Sequence, residues 1–121
     1  MKFLTMVTTL NPAEAGSPPA SLMQAIAQLG MEAGARMTEN GGMSHTATVT
    51  IRKGALTTDG PFAEAKEVVG GFAVYELPSE AEALAWTERF MDLHRQHWPA
   101  WDGEVVIRQL HYFDPSPCAA E

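Results

Sequence analysis

Residues 79–97 constrain the fold most, because they read as one long amphipathic helix that needs another layer to cover it. Ser79 and Glu82 form a capping box, Pro78 stops the segment before it, and Pro99 follows its end near His97. At about 100° per residue, Ala83, Leu84, Trp86, Thr87, Phe90, Met91, Leu93, His94 and His97 fill one half of the circumference. Glu88, Arg89, Asp92, Arg95 and Gln96 fill the other half. That apolar face is wide for a helix lying on one small sheet, so part of it is expected to meet a second subunit.

The partner layer is legible as strands. Met1 to Thr9 is apolar and threonine-rich and ends at Asn11-Pro12; Pro12 to Pro19 reads as a loop. Leu22, Ala25, Ile26, Leu29 and Ala33 recur at helical spacing, so a first helix spans about Ala20 to Ala33 with Gly34 as its C-terminal glycine. Gly30 weakens its last turn. Arg36 to Met43 suggests an irregular strand. Thr46 to Arg52 alternates, with Ala47, Val49 and Ile51 on one face, and Lys53-Gly54 turns into Ala55 to Thr58. Gly71 to Leu77 is apolar on both faces and reads as a central strand, and Glu104 to Tyr112 as the last one.

This order predicts an α+β fold, a ferredoxin-like sandwich with two helices on one face of an antiparallel sheet. Pairing two open sheet faces would make a homodimer of the dimeric α/β-barrel type. A chain of 121 residues suits one domain, expected over 1–113, with a Pro-containing tail at 114–121. The net charge of −7 and the scatter of the eight Lys and Arg argue against a nucleic-acid partner. Cys118 is the only cysteine, so no internal disulfide or cysteine-based metal site can form, and the pattern fits a reducing cytoplasm. The apolar run Phe3 to Val7 is too short for a membrane span or a signal-peptide core. A cytoplasmic protein with no membrane partner is the expectation.

Chemistry concentrates in Thr57 to Glu67, closed by Gly70-Gly71-Phe72. Asp59-Gly60-Pro61 is first a turn, since each residue type has a conformational reason to stand there. Glu64 and Lys66 add charges that could cluster with Asp59, and a buried Asp59 could act as an acid or base. His45 could approach Asp59 if neighbouring strands pair. His94 and His97 share a helix face without an evident third ligand, and with His111 they read as core or interface histidines, so no metal is expected. The aromatic residues Phe62, Phe72, Tyr75, Trp86, Phe90, Trp98 and Trp101 could line a pocket but read first as core, as do Met31, Met37 and Met43.

The stretch Thr58-Asp59-Gly60-Pro61-Phe62-Ala63-Glu64-Ala65-Lys66-Glu67, with Gly70-Gly71-Phe72, resembles the signature of the DGPF-domain branch of the YCII-related proteins. Met1 to Leu4, Pro78 to Trp86 and Glu104 to Leu110 extend the resemblance over most of the chain. It implies a ferredoxin-like subunit with a cleft between the sheets of two copies. In the wider group a His–Asp pair is a proposed active site, and one relative is a dehydrochlorinase; Asp59 is the counterpart of that aspartate, whereas no histidine here matches its partner. The expectation is a small-molecule cleft near the motif. Asp59 would be the acid or base, His45 an optional partner, Phe62 and Glu64 part of the substrate site, and Lys66 would position an anion. No cofactor is expected. The alternative is a non-catalytic regulatory or interaction module linked to an extracytoplasmic-function sigma factor, a neighbour that some branch members have.

Overall fold

The computed structural model describes residues 1–60 and 70–113. Strand β1, Lys2–Thr9, leads through a one-turn helix α1, Pro12–Ala15, into helix α2, Ala20–Ala33. A short 3₁₀ turn, Gly34–Arg36, then enters strand β2, Met37–Met43. Strands β3, Thr48–Arg52, and β4, Ala55–Asp59, follow. Strand β5, Gly70–Glu76, helix α3, Glu80–His97, and strand β6, Gly103–Leu110, complete the described chain. The sheet order β2-β5-β1-β6 is antiparallel throughout, which is the ferredoxin-like arrangement with a hairpin inserted between its second and third strands. No described helix is long and apolar enough to cross a membrane.

Alternation in the strands decides which residues meet the helices. Phe3, Thr5 and Val7 of β1 stand opposite Tyr75, Ala73 and Gly71 of β5, and opposite Gln109, Ile107 and Val105 of β6. These share one face, because side chains directly opposed across an antiparallel pair point the same way. Phe3, Ala33, Tyr75, Leu77 and Ala83 form the core on that face, with Met37, Ala73, Trp86 and Ile107 packed around it. Ala33 and Ala83 let α2 and α3 approach the sheet closely, and the Arg89–Glu32 ion pair ties the helices at their surface. The opposite face carries Leu4, Met6, Phe72, Val74 and Val106, and no described helix lies over it.

The second helix begins as its capping box predicts, with Ser79 Oγ accepting from the Glu82 N–H at 3.3 Å. Several local expectations change. The segment after Asn11 holds the turn of helix α1, started by Pro12 at a position where the missing N–H is harmless. Asn11 anchors it across the molecule: its Nδ2 donates to the Ala100 carbonyl and its Oδ1 accepts from the Asp102 N–H. Met31 is 83% exposed rather than in the core. Strand β6 stops at Leu110, leaving His111, Tyr112 and Phe113 exposed. Strand β3 starts at Thr48 and pairs only with β4, in a separate two-stranded sheet.

Phe3 is 2% exposed at the centre of this packing. Phe3→Ala should lower unfolding free energy by about 3–5 kcal/mol, whereas Met31→Ala should change it by no more than about 0.5 kcal/mol. Urea denaturation of both variants reads the contrast.

Candidate functional site: an apolar cavity and a separate polar hairpin

Between α2 and the sheet lies a cavity of about 700 Å³. Met23, Ile26, Ala27 and Gly30 of α2 form its roof, Thr5, Val7, Gly71, Ala73 and Tyr75 belong to its floor, and Thr87 and Phe90 of α3 close one side. The space exists because residues on these walls are small. A Cβ added at Gly30 would meet nothing within 4 Å, so this mid-helix glycine leaves room rather than allowing close packing. It does so despite a helix penalty of about 1 kcal/mol relative to alanine.

The polar groups of the wall are few and mostly engaged. Thr5 Oγ1 donates to the Ala73 carbonyl at 3.0 Å, and Thr87 Oγ1 donates to the Ala83 carbonyl at 2.9 Å. No carboxylate, imidazole or ammonium stands among the described lining residues, and Tyr75 is their one ionisable group. Burial pushes its phenol pKa up, against the opposite pull of the Arg89 guanidinium. Tyr75 is therefore a neutral hydroxyl at physiological pH, able to donate or accept a hydrogen bond but not to serve as a phenolate base. Behind it, Trp86 stacks at 6.3 Å, and Arg89 lies 4.7 Å from the Trp86 ring centre.

The motif residues lie elsewhere. Asp59 ends β4, is exposed, and pairs across the ladder with Thr48. His45 Nε2 lies 2.8 Å from Thr48 Oγ1. Strand pairing thus brings Asp59 and His45 to the same threonine. Neither belongs to the cavity wall. Phe62, Glu64 and Lys66 lie outside the described residues, as does Cys118.

The motif's glycines have steric explanations. Gly60 has φ +120°, and a Cβ there would sit 2.7 Å from the Ala47 Cβ. At Gly70 a Cβ would come within 2.5 Å of the Val7 carbonyl oxygen, so only glycine lets β5 approach β1 at the start of their ladder.

The remaining aromatic residues divide into two groups. Tyr75 and Phe90 reach the cavity and Phe72 stands by register on the opposite sheet face, while Trp98 and Trp101 enclose His94 at the end of α3. His94 is 5% exposed, its ring centre 4.4 Å from that of Trp101, and its Nδ1 lies 2.9 Å from the Phe90 carbonyl. Trp98 and Trp101 fix the cluster by donating their indole N–H groups to the Ala15 carbonyl and Thr9 Oγ1. Among the described residues no group of three or more His, Cys, Asp or Glu is placed to hold a metal ion. The sequence signal for the cavity was Gly30 with Ala27 on an apolar helix, which periodicity alone reads as a weak turn.

A four-stranded ferredoxin-like sheet with two covering helices and an apolar cavity beneath one of them defines the class of this domain. The YCII-related domain matches residues 8–91, and the chain belongs to that family. No curated protein sequence matches it significantly. Among solved structures, 5-chloro-2-hydroxyhydroquinone dehydrochlorinase (TftG) of Burkholderia phenoliruptrix AC1100, in complex with 2,5-dihydroxybenzoquinone, is 16% identical. The match covers 93% of this chain and 96% of that one, with a TM-score of 0.47. A hydantoinase/carbamoylase family amidase of Burkholderia ambifaria is 18% identical over 88% of this chain and 26% of that chain, with a TM-score of 0.28. At these scores the fold assignment rests on the strand order itself.

Burial holds the His94 pKa below its usual 6.5, opposed by the hydrogen bond to the Phe90 carbonyl. The unfolded chain therefore takes up this proton at higher pH than the native chain. The stability due to neutral His94 is complete above the unfolded pKa and is lost as pH falls below it. Urea midpoints should drop from about pH 7.5 to about pH 5.5, and His94→Leu should remove that part of the slope.

Proposed function

We propose that this YCII-related protein, of the DGPF branch, binds a small, uncharged, largely apolar or aromatic molecule in the cavity between α2 and the sheet. The observation that carries this reading is the wall itself: about 700 Å³ of space bounded by Met, Ile, Phe and Gly, without a described charge and with the Tyr75 phenol among its polar groups. A volume of this size lies within the range of small-molecule pockets, about 300–1,000 Å³. Methionines on the roof adapt to ligand shape at small energetic expense. A neutral ligand fits because a bare charge among these side chains would lose its hydration without a counter-charge. Tyr75 would fix the orientation of the ligand through one hydrogen bond.

Acid–base work at Asp59 is a separable part of the proposal. Asp59 at the end of β4 and His45 in the segment before β3 are exposed and outside the cavity wall, so ligand capture does not need them. Asp59→Asn should leave binding intact, and any chemistry that depends on this carboxylate would appear as lost turnover with retained affinity.

The direct test uses the neutral fluorophore N-phenyl-1-naphthylamine. It should bind with one-site saturation and enhanced emission. Gly30→Leu, which projects a side chain into empty space on a helix it also favours, should weaken binding at least about tenfold, or about 1.4 kcal/mol, without lowering thermal stability. Equal affinity of wild type and Gly30→Leu would remove the cavity as the site.

A further inference from the structure

Strand β2 meets the cavity through an irregularity in its pairing. Met37 stands opposite Tyr75, but the next residue along β5, Val74, stands opposite Glu39, so Thr38 is one residue more than the ladder needs. From there Asn40 stands opposite Ala73, and Gly42 opposite Gly71. Directly opposed side chains point to the same side, and Ala73 and Gly71 lie on the helix-covered face. Asn40 therefore lies on the cavity side of β2 and Glu39 on the outer side; Asn40 lines the cavity and Glu39 does not. Strict alternation from Met37 would do the reverse and turn the Glu39 carboxylate toward the cavity. The bulge is held in place, since Thr38 Oγ1 donates to the Val74 carbonyl at 3.3 Å. One extra residue thus keeps a charge out of an apolar pocket and sets an uncharged amide there instead.

The Asn40 carboxamide has hydrogen-bonding capacity to spare. Among the described residues its side chain has one hydrogen-bond partner, the Met37 thioether, a weak acceptor 2.9 Å from Nδ2 on the same wall. That contact leaves Oδ1 and one N–H for another partner. Asn40 is exposed, which puts it at the mouth of the cavity. Tyr75 follows Ala73 by two residues, so Asn40 and Tyr75 are diagonal neighbours on one face, about 7–8 Å apart. A planar head group can lie between them.

We propose that Asn40 is a specificity-determining residue of this cavity, selecting ligands whose apolar body ends in a neutral carboxamide or lactam. The proposal rests on the ligand-binding role given to the cavity above. An amide presents an N–H and a carbonyl in one plane, which match Asn40 Oδ1 and Nδ2 as a fork of two hydrogen bonds. A lone hydroxyl has a single oxygen with which to meet both atoms, so it forms one well-aligned bond at most. A carboxylate presents acceptors and no donor, and no cation stands among the described lining residues to balance its charge. An ammonium has donors and no acceptor, and it finds no carboxylate there. Tyr75, held neutral by burial, would donate to the remaining lone pair of the ligand carbonyl.

Displacement of N-phenyl-1-naphthylamine from the full chain measures this selection. The competitors are 2-naphthamide, 2-methylnaphthalene and 2-naphthoate, which share one ring system and differ in the head group. Asn40→Val should weaken 2-naphthamide at least about tenfold and leave 2-methylnaphthalene within about twofold of wild type. Should valine disturb the edge strand, Asn40→Asp keeps the size and one acceptor but repels the ligand carbonyl, and it should weaken 2-naphthamide in the same direction. Thr38→Val removes the hydroxyl that holds the bulge and should lower the preference for the amide, which Thr38→Ser should restore. Asn40 variants that weaken the amide and the hydrocarbon by equal factors, or weaken neither, would overturn the proposal, while dye binding that Gly30→Leu still weakens would uphold the cavity. A wild type that takes 2-naphthoate more tightly than 2-naphthamide would overturn it as well. No dye binding to the wild type would remove the cavity reading and this proposal with it.

Discussion

Everything in this fold depends on the pairing of β1 with β5 and the residues that this register throws onto one face. Phe3 opposite Tyr75 and Thr5 opposite Ala73 create the platform on which both helices sit. Thr5 Oγ1 also donates to the Ala73 carbonyl across the ladder, which ties the platform at its centre. A slip of one residue would turn Phe3 to the outer face and bring Lys2 and Leu4 inward, exchanging the core for a charged surface. Gly70 permits the native register, since any larger residue there would meet the Val7 carbonyl at the start of the ladder.

From this platform the molecule develops two chemically different regions. The helix-covered side holds the apolar cavity, where a roof of small and flexible side chains leaves a volume that a better-packed domain would have filled. The one ionisable group among its described lining residues is kept neutral by the burial that makes the cavity apolar. The hairpin beyond β2 carries the exposed carboxylate and imidazole contacts instead. The proposed ligand capture belongs to the first region and does not involve the exposed groups of the second.

Much of the architecture was legible because its signals are local. The α2 helix spans Ala20–Ala33 as its periodicity and Gly34 require, and α3 starts at the Ser79 cap. The central place of β5 follows from a segment apolar on both faces: Val74 and Tyr75 point to opposite sides and both are buried. Other readings failed where the answer depended on distant partners. Met31 looks like core on composition but is exposed, at the edge of the cavity lining. Trp98 and Trp101 read first as core, but only the fold shows that their indole N–H groups find acceptors at Ala15 and Thr9 and lock the end of α3 to the opening turns. Gly30 reads as a defect until the sheet is set beneath it.

By itself the sequence determined the sheet strands and the two long helices, their order and hence the ferredoxin-like class, because capping, turn residues and hydrophobic period act over a few residues. It also marked Asp59-Gly60 as a place where the chain must turn sharply, for reasons of backbone conformation. Only the tertiary structure decided that the empty volume lies under α2 and that Asp59 and His45 stand outside its wall. Cavities arise from the mismatch of surfaces far apart in the chain, and the exposure of a carboxylate depends on what packs over it. Neither is a property of a local pattern. The hairpin shows the same division: its alternation is written in Thr48–Arg52, but the lack of a covering layer among the described residues appears only when β3 is seen to pair with β4 alone.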